Sequence, residues 1–100
     1  MSSNQQDVAA YLVTLDERID ISRAEAVYSK FEEALQRSES VDIDASAVER
    51  IDTSGFQVLV AFCRAAEKGG RKVRIINPSD TFRSNARLLG LEAHLPPVTH

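Results

Sequence analysis

Ser54 is the residue in this chain most open to chemistry. It sits in Val48-Glu49-Arg50-Ile51-Asp52-Thr53-Ser54-Gly55-Phe56, where a short apolar stretch leads into the most apolar helical segment of the sequence. Asp52 lies two residues before the hydroxyl and Gly55 directly after it. Backbone N–H groups at the start of a helix have no intrahelical partner, and an added phosphate is well tolerated there. Ser54 and Gln57 also have the spacing of a capping box, hydroxyl first and amide three residues later. Two readings stand together: Ser54 caps the helix, worth about 1 kcal/mol, or the same hydroxyl accepts a phosphate.

Other reactive residues offer less. His94 and His100 lie near the C-terminus, so a Ser54–His94–Asp triad is possible only arithmetically. No G-x-S-x-G, phosphate-binding loop or Cys/His metal spacing occurs. Asp42 and Asp44 flank a strand end and read as solvated or capping carboxylates. As phospho-acceptors they would need a receiver-type chain of about 120 residues with a lysine on a later strand. Cys63, the single cysteine, is set among Val60, Ala61, Phe62 and Ala65 and reads as a buried inert thiol. The residues thus suggest neither an enzyme nor a metal or cofactor site.

The elements that must position Ser54 alternate between strand and helix. Val8 to Leu15 reads as a first strand with Tyr11, Val13 and Leu15 on one face, and Arg18 to Ile21 as a second short one. Ser22-Arg23-Ala24-Glu25 has capping-box form, and Ala24, Val27, Phe31, Ala34 and Leu35 follow as one helical stripe. Val41-Asp42-Ile43 and Val73-Arg74-Ile75-Ile76 read as strands. Ser79 or Asp80 caps a third helix, with Phe82, Ala86 and Leu89 inward and a stop near Gly90. Leu91 to Leu95 suggests a last strand before Pro96-Pro97 ends regular structure. Strands alternating with helices predict an α/β sandwich with a largely parallel sheet.

The helix after Ser54 is unusually apolar. From Phe56 to Lys68, Gln57, Arg64 and Lys68 form one narrow polar strip, with Glu67 to one side. The remaining arc exceeds what one-sided burial on a sheet requires. Either neighbouring helices cover the excess, or part of it near Phe56 and Val60, or near Val58 and Ala61, docks a partner. Gly69-Gly70 supplies the left-handed end of the helix.

Composition sets the outer bounds. The 100 residues suit a single domain over 1–100, with a core from about 8 to 95. A net charge of −3 argues against nucleic acid, and Lys68, Arg71, Lys72 and Arg74 read as a solvated helix end and strand flank. Met1 to Asp7 is polar, and the longest apolar run, Val58 to Cys63, is far too short to span a bilayer. The expected location is the cytoplasm, with no direct membrane insertion.

These segments together resemble a STAS domain. The resemblance rests on Val41-Asp42-Ile43-Asp44-Ala45-Ser46, Ile51-Asp52-Thr53-Ser54-Gly55, the helix to Gly69-Gly70, Val73-Arg74-Ile75-Ile76 and Leu88-Leu89-Gly90-Leu91. It covers roughly Val8 to Leu95. It implies a STAS-type mixed, largely parallel sheet of four or five strands with helices packed against it. It also implies a bacterial regulatory role as an anti-sigma factor antagonist. In such proteins a partner kinase, doubling as an anti-sigma factor, phosphorylates the hydroxyl residue before the glycine, here Ser54, with Thr53 a lesser candidate. Phosphorylation abolishes binding, and a phosphatase restores it. The partner surface the resemblance implies comprises Asp52, Thr53, Ser54, Gly55, Phe56, Val58 and Val60. Small STAS proteins also resemble the accessory subunit of Mla-type phospholipid transporters, which binds an ABC ATPase. Two departures touch this surface: Glu17-Arg18 stands where the family commonly has glycine, and Phe56 where an aliphatic residue is usual.

Overall fold

Short strands in this chain bury alternate residues, and that alternation builds the sheet. In the computed structural model, which describes residues 10–96 and 98–99, the core sheet contains β1 (Tyr11–Thr14), β3 (Ser40–Asp44), β5 (Lys72–Ile76) and β6 (Val98–Thr99). Its order is β1-β3-β5-β6, and every pairing is parallel. Tyr11 pairs with Val41, and Val41 with Val73. Parallel neighbours need crossover connections, and the helices α1 (Ala24–Arg37), α2 (Thr53–Lys68) and α3 (Asp80–Leu88) supply them. A second sheet of two parallel strands, β2 (Arg18–Ile19) and β4 (Arg50–Ile51), sets Ile19 beside Ile51. The expected α/β architecture is present, and among the described strands no antiparallel pairing adds the mixed character.

Val13, Val41, Ile43, Val73 and Ile75 turn inward from the core sheet and are buried. Val27, Phe31 and Ala34 of α1, Phe56, Leu59, Phe62, Cys63 and Ala66 of α2, and Phe82 and Ala86 of α3 pack into the same core. Phe31 stacks on Phe62 with ring centroids 4.0 Å apart, which joins the two helices. The opposite face of the sheet carries exposed Leu12 and a bidentate Arg74–Asp42 pair with N–O distances of 3.0 and 2.9 Å. That pairing holds the Arg74 guanidinium above its ordinary pKa. Asp44 accepts from the Ser46 N–H at 2.9 Å, so both carboxylates of this strand serve structure.

Several local expectations change. Ser22 does not cap α1: Ile21–Arg23 forms a 3-10 turn, and the Ser22 hydroxyl donates to Asp20 at 2.6 Å. Arg23 occupies the α1 N-cap without a side-chain bond. The hydrogen bond from Ser22 and the nearby Arg18 hold the Asp20 carboxyl below its ordinary value. Leu89 is outward, 43% exposed, because α3 stops at Leu88 and Gly90 takes a φ of 69°. Leu91 packs against the core instead. The segment read as a final strand is a 3-10 turn, Glu92–His94, and the last strand is Val98–Thr99, beyond the two prolines. Residues 8 and 9 of the expected first strand lie outside the described residues.

Cys63 fulfils the inert reading. Burial, with Glu67 adding to it, pushes its thiol pKa up to about 12. The folded protein is therefore expected to resist thiol alkylation at pH 8, where the unfolded chain, with an ordinary thiol pKa of about 8.5, reacts readily. Rapid labelling of the native protein by a maleimide would count against a buried thiol.

Candidate functional site

The site is built where β4 hands over to α2. The pairing of β2 with β4 brings Ile19 alongside Ile51, and the Asp52 N–H continues the ladder to the Ile19 carbonyl at 3.4 Å. Asp52 keeps extended backbone angles, φ −102° and ψ −177°, and so is the N-cap. Its carboxylate accepts from the Gly55 N–H at 2.8 Å, while its carbonyl accepts from the Phe56 N–H at 3.0 Å. Ser54 is therefore not the cap. It is the second residue of α2, half-exposed, with its hydroxyl unused in capping.

The correction clarifies the chemistry. Asp52 takes one of the orphan donors at the helix start, whereas the Thr53 and Ser54 N–H groups have no recorded acceptor among the described residues. Thr53 is exposed as well. A hydroxyl freed from capping, at the positive end of a 16-residue helix, can take a phosphate without surrendering a structural bond. Asp52→Ala is accordingly expected to cost about 1 kcal/mol, and Ser54→Ala only a few tenths, in parallel chemical denaturation. Equal losses would restore Ser54 as a cap.

Gly55 and Phe56 hold the hydroxyl in place. A Cβ on Gly55 would lie 2.4 Å from the Ile19 carbonyl oxygen and 2.9 Å from its Cγ2. Glycine is thus required for α2 to sit on β2. Phe56 is fully buried and meets Phe82 of α3 at 5.2 Å between centroids. Both had been expected in the partner surface; burial withdraws the Phe56 ring and leaves Gly55 a packing role. Ser79 accepts from the Phe82 N–H at 3.1 Å and donates to the Val48 carbonyl at 2.6 Å. Asn85 donates to the Ile51 carbonyl at 3.2 Å. These two α3 contacts, which have no signature in residue spacing, brace β4 from behind.

The excess apolar arc of α2 is partly covered. Leu59, Phe62, Cys63 and Ala66 are buried, Val58 and Val60 half-buried, and Ala61 and Ala65 exposed. Ser54, Val58, Ala61 and Ala65 share one helix face, which remains accessible. His94 contacts Arg64 at 3.1 Å, and Arg64 lies ten residues beyond Ser54, about 15 Å along the helix. The triad is therefore not assembled. Among the described residues no group of three or more His, Cys, Asp or Glu could hold a metal ion. No described helix is long and apolar enough to cross a membrane.

The half-exposed Ser54 hydroxyl thus stands at the start of α2 on a parallel α/β scaffold, and comparison with known proteins gives the family. A family model described as "Mlab, STAS domain" matches residues 2–97. The chain belongs to the STAS family. Among solved structures it is similar to the anti-sigma factor antagonist SpoIIAA in its unphosphorylated form, with 20% identity and a TM-score of 0.69, covering 93% of this chain and 84% of that one. The Bacillus cell fate determinant SpoIIAA in its phosphorylated form matches with 20% identity and a TM-score of 0.62, over 89% and 82% of the two chains. A candidate anti-sigma factor antagonist from Thermotoga maritima matches with 17% identity and a TM-score of 0.71, over 89% and 80%. No curated protein sequence matches this one significantly. The fold expected from the resemblance is therefore present.

Proposed function

We propose that this chain is an anti-sigma factor antagonist-like regulatory module that binds a kinase-type anti-sigma factor, or a related signalling kinase, and is released from it by phosphorylation at Ser54. The observation that carries this reading is the half-exposed Ser54 hydroxyl on the first turn of α2, unburdened by the capping that Asp52 performs. Family membership and a fold shared with SpoIIAA in both its phosphorylated and unphosphorylated forms support it. Its activity is binding in the bacterial cytoplasm, with transcription regulated through the partner; a phosphatase resets the switch. Asp52, Thr53, Ser54 and Val58 form the docking surface, with Thr53 the secondary acceptor; Val60, also expected there, lies on a different face of α2. Phosphorylation adds about −1.5 to −2 charge beside Asp52. Docking then requires desolvating that charge, at several kcal/mol if it is unpaired.

Incubation with ATP and a candidate partner kinase, followed by mass spectrometry, should place one phosphate on Ser54 and release the complex. An unmodified Ser54 under every kinase pairing would overturn this reading. The Mlab description of the matching family model favours a second reading, an accessory subunit that binds and supports an ABC-transporter ATPase of phospholipid transport. Stable co-purification with such an ATPase, and an unmodified Ser54, would establish it instead.

A further inference from the structure

One α1–α2 groove lies outside the switch motif. It has a volume of about 360 Å³ and is lined by Ala24, Glu25, Tyr28, Ser29 and Glu32 of α1 and Val58 of α2. Ala24, Tyr28 and Val58 supply its apolar lining, and Tyr28 is 49% exposed. Ile21, seven residues before Tyr28, is 71% exposed. The inward stripe of α1 is Val27, Phe31 and Ala34, so Tyr28 and Ile21 do no packing for the core. An exposed aromatic side chain in a groove with further apolar lining marks an interaction surface.

Charge decides what fits. Glu25 and Glu32 are two helical turns apart on α1 and flank Tyr28 and Ser29. Among the described residues neither carboxylate has a cation within ion-pair distance. Elsewhere on α1 the acidic residue Glu33 is paired, with Arg37 at 3.6 Å. Tyr28 and Val58 between two carboxylates that are unpaired among the described residues are complementary to a segment with an apolar side chain between two cationic ones.

We propose that the α1–α2 groove docks a basic amphipathic helix of a protein partner, with an apolar residue seated against Tyr28 and Val58 and lysine or arginine side chains paired with Glu25 and Glu32. This deepens the proposed function, since it rests on that reading for the partner's being the same one that meets Ser54. Val58 is one turn beyond Ser54 on the same helix face. The two contacts are adjacent but respond differently to modification. A phosphate on Ser54 weakens the contact that must desolvate it, whereas extra negative charge does not repel a basic segment in the groove. The groove thus acts as a phosphorylation-independent anchor. It sets encounter rate and salt dependence, and Ser54 sets residence time.

The first test needs no kinase. The isotope-labelled full chain is titrated with a synthetic helix of leucine and lysine at helical spacing, and with its leucine–glutamate counterpart. Amide shifts should centre on Glu25, Tyr28, Glu32 and Val58 and appear only with the lysine peptide. The double variant Glu25→Gln/Glu32→Gln should bind it about fivefold more weakly, and Tyr28→Ser should weaken it without moving the melting temperature appreciably. Ser54→Asp should bind the lysine peptide at least as tightly as the parent does. Equal binding of both peptides, shifts spread over the surface, or a dimer of this chain that Tyr28→Ser dissolves would overturn the proposal. The second test takes the kinase that modifies Ser54. The Gln substitutions should slow the kinase's association with the phosphorylated and unphosphorylated chain alike; unchanged association would remove the anchor and leave the Ser54 switch standing.

Discussion

Phe56→Ala is expected to lower stability by about 3–5 kcal/mol, the usual cost of emptying a phenylalanine site in a core that relaxes only partly. Phe56 has no exposed surface, and its ring meets Phe82, which fastens the start of α2 to α3. A chain of this size has a total stability of about 5–15 kcal/mol, so the variant approaches the unfolding threshold. Melting temperature should fall by at least about 12 °C, taking roughly 4–8 °C per kcal/mol. Phe56→Leu keeps most of the volume and should cost about half as much or less. Val58→Ala, two residues on but half-exposed, should cost about 1 kcal/mol. Urea denaturation followed by circular dichroism measures all three. A loss below about 1 kcal/mol for Phe56→Ala would mean that the ring is not core and belongs in the partner surface after all.

That result bears on what can be read from residue order. The strands were legible because β3 and β5 alternate strictly, with Val41, Ile43, Val73 and Ile75 on one face. The inward stripe of α1 was legible for the same reason at helical period. Caps were not. Ser54-x-x-Gln57 and Asp52-x-x-Gly55 both satisfy a cap spacing, and the choice depends on which residue keeps extended angles when β4 ends. The ladder bond from Asp52 to Ile19 decides it, and Ile19 is more than thirty residues away in the chain. Ser22 failed similarly: Asp20 captured its hydroxyl and converted the expected helix start into a 3-10 turn.

The apolar arc of α2 was visible as an excess, but its division was not. Which positions α1 covers depends on the Phe31–Phe62 stack, and that contact crosses two helices. Phe56 illustrates the same limit. Counted on the helix alone, it lies on the surplus; with α3 folded back through Phe82, it is interior. The candidate surface consequently narrows to the face that begins at Ser54 and continues through Val58. This narrowing makes the switch easier to test, because the variants that probe it no longer disturb the core.

Ser54→Asp should keep the fold and lose the partner. An acidic residue in the first turn of a helix is favoured by the helix dipole, and Asp52 still caps the Gly55 N–H. Stability should therefore stay within about 0.5 kcal/mol of the parent. Aspartate carries a single negative charge, less than a phosphate, yet docking must still strip its water. If it remains unpaired at the interface, affinity should fall by about 10- to 100-fold, corresponding to roughly 1.4–2.8 kcal/mol. Ser54→Ala, neutral and no longer modifiable, should bind as tightly as the unmodified chain and stay bound when ATP is added. Calorimetric titration of both variants into a candidate partner kinase separates the outcomes. Parent-like affinity for Ser54→Asp would mean that charge at this position does not gate docking. Lost affinity with a collapsed melting temperature would mean that position 54 supports the helix itself, and the unused hydroxyl on the first turn of α2 would then be structural.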